Sequence, residues 1–572
     1  MSHGALKDAA APDLFAEYRQ RPGVADELFD ANGQMRHVWR RFVERFARMS
    51  PAEIRGRFER GDQYLRDAGV FFRQYSSDPL AERDWPLSHI PVILHEDEWA
   101  QICAGLSQRA DLLEQVMADL YGPARLVAGD HLPAGLIARS PQWLRPMVGV
   151  APRGGHYLHF LAFEIGRSPD GSWFVLGDRT QAPSGAGFAL ENRMATGRIF
   201  PERFPRAYIH KLAGFFSSFR DAMETMAAPR WEPGRTYGIL TPGPSNDTYY
   251  EHTYIARYLG MMLLEGEDLL VENGEAMVRT IEGPQPLGLL WRRIDADFAD
   301  PLEFNPNSHI GTPGLMEAVR AGNLAMANAL GSGVLEMRAM MAFLPRISEV
   351  LTGRPLELPN IATWWCGGAA ERAWVRDNAQ NMLIGPADAV DLPFDLGATT
   401  VMGGALKGQA AGGSIADWLE REGERLVGQE AVTLSTTPAW EEDGEAAGGG
   451  GRVVPRPMTV RVFAARTAEG WRFMQGGYAR IGRSEDATAL AMQRGGSVAD
   501  VWVVSDRPVH RVSPVAGPQG DFRRAAPGIL PARAADNLYW LGRYVERTED
   551  ATRLTRAYHL RLAATDNRND PR

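Results

Sequence analysis

Apolar residues recur at regular spacing over most of the chain, and this spacing predicts which segments are helices and which are strands. Residues 97–121 carry apolar side chains three and four positions apart, which predicts one long amphipathic helix. Residues 157–164 and 173–178 are short apolar runs joined through Pro169-Asp-Gly, a sequence typical of two strands and a turn. The pattern therefore changes from helical to strand-like within the first third of the chain.

The segments on either side of this change follow different patterns. Residues before about 75 are polar and predict helices, with starts at Asp26 and at Ser50, where Ser50-Pro-Ala-Glu forms a capping box. Residues 235–280 alternate strand, helix and strand, which is typical of a parallel sheet. Residues 382–440 are rich in glycine and are predicted to hold short strands.

The end of the chain is predicted to be a linker followed by a helix. Residues 505–530 contain several prolines and glycines, which are typical of a linker. From Pro531 onward, Leu538, Leu541 and Val545 share one face of a predicted helix. A single amphipathic helix cannot bury its own apolar side, so we expect it to dock on this chain or on a partner.

Together these patterns predict an α/β fold with a mostly helical N-terminal portion and a C-terminal helix. The chain is divided into six segments on this basis: 1–125, a helical region; 126–235, with a predicted hairpin; 236–350, an α/β unit; 351–505, a glycine-rich strand region; 506–530, a linker; and 531–572, a helix with a polar tail.

Composition and charge exclude several classes of protein. The chain has 572 residues, of which 44% are hydrophobic and 23% charged, as in ordinary globular proteins. It carries 62 Lys+Arg against 71 Asp+Glu, and this acidic balance argues against a nucleic-acid binder. No apolar run is long enough to cross a membrane, and the first residues lack the apolar stretch of a signal peptide. We therefore expect a cytoplasmic protein that engages neither membrane nor nucleic acid.

Lysine is nearly absent, which limits any chemistry that depends on it. Only Lys7, Lys211 and Lys407 occur, so the other 59 of the 62 basic residues are arginine. Lys407 follows Gly403 and Gly404 in a glycine-rich stretch that can cradle phosphate, although the spacing is not that of a P-loop. A plain hairpin turn explains the same residues, and the sequence leaves both interpretations open.

The most informative candidate chemistry flanks a loop rich in proline and glycine. Asp178 ends a predicted strand before the loop, and Glu191 and Asn192 lie on a predicted returning strand after it. Carboxylate and amide oxygens on adjacent strands are suitable ligands for Mg²⁺. Arg179 and Arg193 beside them carry planar donors that bind phosphate oxygens. A surface hairpin whose acids pair with its arginines is the alternative.

Two further segments are candidate contacts for small molecules. Gln429 and Glu430 lie in a predicted strand where they can face an adenine edge, or they are ordinary polar residues that face solvent. Arg292, Arg293 and Asp295 belong to a charged turn after an apolar strand. This turn can bind a carboxylate or phosphate substrate, or it can neutralise its own charges.

Several long phrases of the sequence occur in a fixed order between about residue 65 and residue 505. They are Trp85-Pro-Leu, Leu120-Tyr-Gly-Pro, the segment 178–193, Thr241-Pro-Gly-Pro, Leu264-Glu-Gly-Glu-Asp-Leu, Arg292-Arg-Ile-Asp-Ala-Asp-Phe, the segment 328–336, Ala362-Thr-Trp-Trp-Cys-Gly and Gln429-Glu-Ala-Val-Thr-Leu-Ser-Thr. In this order they resemble the circularly permuted ATP-grasp proteins of type 2. From Pro531 the chain resembles the start of an alpha-helical alpha-E domain, of which only about the first helix is present, as in a shortened fusion.

The resemblance implies a circularly permuted ATP-grasp fold and an ATP- and Mg²⁺-dependent ligase. In such a reaction a small-molecule or peptide carboxylate attacks the γ-phosphate of ATP, and an amine or thiol captures the acyl-phosphate. Positioning and charge neutralisation dominate this chemistry. The segments 126–235 and 351–505 are then parts of the ATP-grasp lobes, and 236–350 is the substrate domain.

The resemblance also assigns roles by matching position. It implies Asp178, Glu191 and Asn192 as Mg²⁺ ligands; Gln429 and Glu430 at adenine; Gly403, Gly404 and Lys407 in a loop over the nucleotide; Arg179, Arg193 and Arg461 on the transferring phosphoryl group; and Arg292, Arg293 and Asp295 at the substrate.

Two positions depart from the family pattern. Glycine stands at Gly385 and alanine at Ala499, where the family usually has lysine, and the loss of a fixed positive charge weakens phosphate stabilisation. An alternative function therefore stays open beside the ligase: a catalytically weakened ATP-grasp scaffold. It would bind nucleotide or peptide and work in a complex with alpha-E-type partners.

Overall fold

The computed structural model describes residues 14–15, 18–73, 82–200, 208–227, 236–393, 400–402, 414–442, 451–484, 496–509 and 530–564. Its helices are α1 (His37–Phe46), α2 (Pro51–Asp67), α3 (Glu96–Leu120), α4 (Arg125–Ala128), α5 (Ala134–Arg139), α6 (Ala186–Ile199), α7 (Ala213–Ala227), α8 (Tyr249–Leu259), α9 (Leu315–Arg320), α10 (Met340–Thr352), α11 (Ala369–Asp377), α12 (Ile415–Glu422) and α13 (Ala532–Ala564).

The strands are short in the first part of the chain and longer toward its end. They are β1 (Phe71–Arg73), β2 (Glu82–Asp84), β3 (Val92–His95), β4 (Phe160–Arg167), β5 (Trp173–Arg179), β6 (Thr236–Leu240), β7 (Met262–Leu264), β8 (Leu269–Glu272), β9 (Glu275–Val278), β10 (Gln285–Arg292), β11 (Ala325–Ala327), β12 (Thr363–Trp365), β13 (Met382–Pro386), β14 (Val401–Met402), β15 (Leu426–Glu430), β16 (Thr436–Glu442), β17 (Gly451–Thr467), β18 (Gly470–Ile481) and β19 (Ser497–Val504).

The largest sheet has seven strands, in the order β3-β19-β18-β17-β4-β5, with β16 also paired to β17. β3 runs parallel to β19, and the other neighbours are antiparallel. Side chains alternate between its two faces. Phe163 packs in one hydrophobic cluster with α3, and Ala162 packs in a second cluster with α2 and α6. The large sheet therefore separates two cores.

Two smaller sheets complete the α/β part of the fold. A six-stranded sheet has the order β7-β6-β10-β9-β8, with β11 also paired to β10. In it β6, β7, β10 and β11 are parallel, as the alternation of strands and helices predicted. A four-stranded antiparallel sheet has the order β12-β15-β13-β14, and it has its own small core with α11 and α12.

The predicted elements with the clearest spacing are confirmed. The helix predicted at 97–121 is α3, and the strands predicted on either side of Pro169 are β4 and β5. The Ser50 side chain accepts a hydrogen bond from the Glu53 backbone N–H at the start of α2. Local spacing and capping are sufficient for these elements because their signals lie within one or two turns of the chain.

Two predictions of local structure are wrong. Glu191 and Asn192 lie in α6 and not on a returning strand, because α6 buries residues around most of its circumference between the large sheet and its neighbouring helices. Asp26 does not begin a helix. Its buried carboxylate accepts hydrogen bonds from the backbone N–H of Leu28 and from the side chains of Tyr18 and Thr436, so it serves as a tertiary contact.

The long helix α13 is exposed along most of its length. Its large apolar side chains are exposed along most of its length, for example Leu541 at 60% and Tyr544 at 58%. Arg533, at its start, forms ion pairs with Glu265 at 2.9 Å and with Asp268 at 2.7 Å. Among the described residues, neither α13 nor any other helix is both long and apolar enough to cross a membrane.

Candidate functional site

Residues 180–185, here named the site loop, connect β5 to α6 at one edge of the large sheet. Glu336 accepts hydrogen bonds from the backbone N–H groups of Thr180 and Gln181, both at 2.6 Å. Asn328 donates through Nδ2 to the Thr180 carbonyl at 2.6 Å. Side chains from another part of the chain therefore fix the backbone in the first half of the loop.

A carboxylate from α8 fixes the other end of the site loop. Glu251 is fully buried and accepts hydrogen bonds from the backbone N–H of Gly185 at 2.8 Å and of Gly187 at 3.0 Å. A negative charge at the N-terminus of α6 is also favoured by the helix dipole. Gly185 has φ +111°, and a Cβ there would lie 2.2 Å from the Tyr478 ring, so the turn requires glycine.

Two buried arginines at the end of β10 hold the carbonyl groups of the site loop. Arg292 donates to the Gln181 carbonyl at 3.1 Å, and Arg293 donates to the Pro183 carbonyl at 2.6 Å. Burial lowers the pKa of Arg292 to about 10, and burial lowers the pKa of Arg293 against the opposing effect of Glu251. The Arg292 Nε finds no hydrogen-bond acceptor among the described residues.

The charged turn after β10 is bound to the site loop and does not neutralise itself. Gln181 donates through Nε2 to Asp295 at 3.2 Å and accepts through Oε1 from the Ala296 backbone N–H at 3.1 Å. In the described part of the chain, neither Arg292 nor Arg293 forms an ion pair with the acids of this turn. The structure therefore brings the predicted substrate residues to the loop that Asp178, Arg179 and Glu191 flank.

A buried ion-pair group lies beneath the middle of the site loop. Arg461, on β17, donates through Nε to Glu164 at 2.8 Å and through Nη1 to the Ser184 carbonyl at 3.0 Å. Arg480, on β18, lies 3.0 Å from the other oxygen of Glu164. Burial raises the pKa of Glu164, but the charges of Arg461 and Arg480 outweigh it and lower this pKa to about 2. Glu164 therefore stays ionised and orients Arg461 toward the loop.

Arg179 connects the large sheet to the four-stranded sheet. Its Nη1 lies 3.3 Å from Glu336, and the same nitrogen donates to the carbonyl of Val390, in the segment that follows β13. The Arg179 side chain keeps 17% of its surface exposed. A partly exposed guanidinium at the junction of two sheets can reach an anion that enters between them.

The structure does not bring the three predicted Mg²⁺ ligands together. Asp178 forms a bidentate ion pair with Arg109 of α3, with both contacts at 2.7 Å and both side chains buried. Glu191 instead accepts a hydrogen bond from Tyr64 of α2 at 2.8 Å. Because α3 and α2 lie on opposite faces of the large sheet, Asp178 and Glu191 are separated by that sheet.

Asn192, the third predicted Mg²⁺ ligand, lies on the same face of the large sheet as Glu191. Asn192 accepts a hydrogen bond through Oδ1 from Trp85 Nε1 at 2.8 Å, and its Nδ2 is buried without a hydrogen-bond partner among the described residues. The predicted donor set therefore does not fit a single Mg²⁺ ion in this arrangement. The assignment of these residues as metal ligands stays a prediction.

Arg193 lies apart from the other predicted phosphoryl-binding arginines. It donates to Asp500 at 2.7 Å, to the Val501 carbonyl at 2.6 Å and to the His210 carbonyl at 2.8 Å. These contacts tie α6 to β19 and to the segment before α7. Arg193 therefore fixes a helix against the large sheet and does not contact the site loop.

The predicted adenine residues lie at the end of β15 in the four-stranded sheet. Gln429 is buried and donates through Nε2 to Thr363 at 3.2 Å, whereas Glu430 is exposed. The Gln429 Oε1 is buried and has no hydrogen-bond partner among the described residues. An unpaired buried acceptor costs free energy, so this atom is suited to a ligand that brings a donor.

Three predicted nucleotide contacts cannot be placed. Gly403, Gly404 and Lys407 lie outside the described residues.

An arginine occupies the space beside Gly385, where the family pattern has lysine. A Cβ at Gly385 would lie 3.1 Å from the Arg338 Nη1 and 2.9 Å from the Thr400 Oγ1. Arg338 is buried and donates to the carbonyls of Asp391 and Leu392, at 3.0 and 3.2 Å. A guanidinium from a different segment therefore lies beside Gly385. Ala499 is buried and pairs with Ala479 of β18.

Sequence reasoning missed the acids that hold the site loop. Glu336 and Glu251 were not singled out, because their partners lie 155 and 66 residues away in sequence. A signal was available for Glu336, since the family-like phrase 328–336 begins at Asn328 and ends at Glu336, and both residues bind Thr180. No local pattern pointed to Glu251 or to Glu164.

Comparison with known protein families gives two matches. Residues 91–482 match the family described as circularly permuted ATP-grasp type 2. Residues 530–571 match the alpha-E family, described as a predicted alpha-helical domain with a conserved ER motif. The first match covers the site loop and every strand of the seven-, six- and four-stranded sheets except β19. The second covers α13, which contains Glu546-Arg547.

Several bacterial proteins are similar to the chain over most of its length. The uncharacterized protein sll0335 of Synechocystis sp. is 31% identical over 84% of this chain and 96% of its own length. The uncharacterized protein Rv2411c of Mycobacterium tuberculosis is 29% identical over 84% of each chain. A longer protein of the same organism, Rv2567, is 28% identical over 96% of this chain, which spans 61% of that protein.

The chain also aligns with a solved structure, that of a glutathione synthetase-like effector (GSS30) from Globodera pallida in its apo form. It aligns with 80% of this chain and 98% of its own, with a TM-score of 0.47 and 10% sequence identity.

Proposed function

The chain belongs to the circularly permuted ATP-grasp type 2 family, and from that premise we propose that it is an ATP-dependent carboxylate–amine or carboxylate–thiol ligase. The family match gives an ATP-grasp scaffold.

The proposed reaction has two steps. A carboxylate oxygen of a small molecule or peptide attacks the γ-phosphorus of ATP, the bond to the β-phosphate oxygen breaks, and ADP leaves. The amine or thiol then attacks the acyl carbon, and inorganic phosphate leaves with the acyl oxygen. The incoming group loses its proton, and a peptide-like amide or a thioester results. The protein contributes positioning and charge neutralisation, because the phosphoryl transfer itself needs little covalent help.

The observation that carries the proposal is the site loop. Charged side chains fix its backbone at both ends and in the middle, and they come from segments far apart in sequence: Glu336, Glu251, Arg292, Arg293 and Arg461. A connection between a strand and a helix does not need so many buried charges to be stable. Such pre-organisation is typical of loops that stabilise charge during a reaction.

We propose that the nucleotide lies between the large sheet and the four-stranded sheet. Gln429 would accept a hydrogen bond from the adenine amino group through its unpaired Oε1, and Glu430 would lie beside it. Arg179 and Arg461 would neutralise the transferring phosphoryl group. Arg338 would supply the charge that Gly385 lacks. We propose Mg²⁺ as part of the nucleotide substrate and assign it no protein ligand, because Asp178 is paired with Arg109.

Arg292, Arg293 and Asp295 are proposed to act through the site loop at the carboxylate substrate. The two arginines are buried, so they position the loop carbonyls and keep the local potential positive. They are positioning residues in this proposal. Arg193 is also proposed as a positioning residue, and it holds α6 in place. Its three contacts are to β19 and to the segment before α7.

The first test is turnover. The full chain is incubated with ATP, Mg²⁺ and mixtures of carboxylates and amines, and ADP and coupled products are measured by mass spectrometry. Replacement of Arg179 by glutamine is expected to lower kcat by about 10²–10³-fold, because one preorganised contact to the developing charge is lost. Arg320→Gln is the matched control, since Arg320 is an exposed arginine paired only at the surface with Glu303.

The second test is nucleotide affinity. Replacement of Gln429 by leucine is expected to weaken MgATP binding at least about tenfold by calorimetry, because the adenine amino group loses its acceptor. Gln63→Leu, at an exposed position of α2, is the control. A chain that binds no MgATP at millimolar concentration contradicts the ligase proposal.

A second candidate function is favoured by α13. Its exposed leucine, tyrosine, tryptophan and valine side chains form an apolar surface of the kind that marks an interface. In this alternative the ATP-grasp scaffold binds nucleotide or peptide, turns over weakly, and works in a complex with an alpha-E-type helical partner. MgATP binding without ADP formation, together with a stable complex on co-expression with an alpha-E domain protein, would favour this second candidate.

A further inference from the structure

Two histidines and an aspartate converge at the edge of the large sheet that is farthest from the site loop. His37 is the first residue of α1, His95 is the last residue of β3, and Asp506 follows β19. The parallel register of β3 and β19 places His95 beside Val504, two residues before Asp506. One ligand atom from each of the three side chains lies within 4.8 Å of the others.

His95 and Asp506 lie at an ion-pair distance, and no hydrogen bond joins them in the described part of the chain. The His95 Nε2 lies 3.4 Å from the Asp506 Oδ2, yet this buried nitrogen makes no hydrogen bond within the described residues. Two ligands at about 2.0–2.1 Å from a tetrahedral ion are separated by about 3.3 Å. The observed separation therefore matches a pair of atoms that share one small cation.

The second nitrogen of His95 caps the N-terminus of α3. Its Nδ1 accepts a hydrogen bond from the Asp97 backbone N–H at 3.3 Å, and it also lies 3.3 Å from the Asp97 carboxylate. Metal binding through Nε2 would place the ring proton on Nδ1, which would then donate to that carboxylate instead of accepting from the backbone. Histidines that bind metals commonly donate their other N–H to a carboxylate in this way.

A cavity of about 310 Å³ adjoins the two histidines. His37 and His95 line it together with the acids Glu27, Asp30 and Glu98 and the basic residues Arg36 and Arg40, whereas Asp506 does not. The Arg36 Nε is directed to the carbonyls of Asp26 and Phe29, at 3.3 Å each. The ring of His37 lies 5.1 Å from that of His95, and His37 is exposed, so its nitrogen can approach the ion by side-chain rotation.

We propose that His37, His95 and Asp506 bind one Zn²⁺ ion, with water in the fourth position. Two imidazoles and a carboxylate suit zinc, whereas Mg²⁺ prefers ligands that are all oxygen. The ion would tie α1 to the parallel pair β3 and β19, which are distant from each other in sequence. This site is independent of the proposed ligase reaction, because β3 and β5 are opposite edges of the large sheet.

The test uses the full chain without a histidine tag. Zn²⁺ binding is measured by calorimetry after treatment with a chelator, and Co²⁺ is used as a spectroscopic probe of coordination number. One Zn²⁺ per chain is expected, with an intense visible Co²⁺ spectrum typical of four-coordinate sites. His37→Gln and His95→Asn are expected to weaken Zn²⁺ binding at least about tenfold, in line with the loss of one ligand.

The variants are chosen so that they stay folded, because an unfolded chain would also lose Zn²⁺ binding. Asparagine at position 95 keeps a side chain that caps the N-terminus of α3, and position 37 is exposed. His309→Gln, at another exposed histidine, is the control and should bind as the unaltered chain does. Absence of Zn²⁺ binding, or Zn²⁺ affinity that is equal in His37→Gln, His95→Asn and His309→Gln, would overturn the proposal.

Discussion

The site loop and α13 differ in how their side chains are buried and paired. At the site loop, the polar backbone of a short connection is held by charges from several distant segments, and these charges are buried. On α13, the backbone is satisfied within the helix, but Leu538, Leu541 and Val545 stay exposed. Among the described residues, the first region finds its partners within this chain, whereas the second exposes an apolar surface. Under the proposals above, the chemistry and the assembly of this protein are located in different parts of the chain.

The largest effect is expected when the site loop loses an acid. Replacement of Glu336 by alanine removes the acceptor of two backbone N–H groups and the anionic partner of Arg179, which should lower the free energy of unfolding by about 3–5 kcal/mol. Chemical denaturation measures this change. Glu303→Ala, which breaks an exposed pair with Arg320, should cost less than about 1 kcal/mol. Equal effects of the two substitutions would contradict the idea that the loop depends on buried charge.

The second largest effect is expected on the free energy of unfolding at low pH. Because the pKa of Glu164 is lowered to about 2 in the folded chain, its ionisation stabilises the fold above the ordinary pKa of about 4.5. This stabilisation, about 3 kcal/mol, is lost progressively as the pH falls from about 4.5 to 2. Glu164→Gln removes the titration, so its free energy of unfolding should depend less on pH in this range. A pH profile as steep as that of the unaltered chain would show that other carboxylates dominate.

A smaller effect is expected where α13 joins the body of the molecule. Arg533→Met leaves the buried Asp268 carboxylate without its cation, but Arg533 is 31% exposed, so solvent screens part of the loss. We expect a decrease of about 1–2 kcal/mol in the free energy of unfolding. Arg543→Met, at an exposed arginine on the same helix, is the control. Limited proteolysis should show faster cleavage near residue 530 only in the Arg533 variant.

The smallest effect on stability is expected on the exposed face of α13. Leu541→Ser should change the free energy of unfolding by no more than about 0.5 kcal/mol, because the side chain is 60% exposed. The same substitution should weaken association with an alpha-E-type partner, which analytical ultracentrifugation can measure. A large loss of stability in the isolated chain would mean that the apolar face of α13 is already covered within this molecule.

Much of the secondary structure could be predicted because its signals are local. Helix α3 follows from apolar spacing within residues 96–120, and the start of α2 follows from Ser50 and Glu53. The error at α6 has a physical reason. Glu191 and Asn192 carry no periodic signal that distinguishes a buried helix from a strand, because residues on most sides of α6 are buried.

The candidate site was predicted in part. Arg179, Arg292, Arg293 and Arg461 were identified from the sequence, and the structure brings all four to the site loop or its ends. The predicted ion pairing of Asp178 within its own hairpin does not occur, since its partner is Arg109, 69 residues earlier in the sequence. Pair contacts over such separations leave no local pattern, so they could not be predicted from a single sequence.

The sequence by itself determined the family, the long helices and strands, and the near absence of lysine. These depend on the order and spacing of residues, which are local properties of the chain. Only the tertiary structure decided that Glu336 and Glu251 hold the site loop, that Asp178 and Glu191 lie on opposite faces of the large sheet, and that Arg338 fills the place beside Gly385. The physical reason is that buried charges are stabilised by their partners in space, and folding alone chooses those partners.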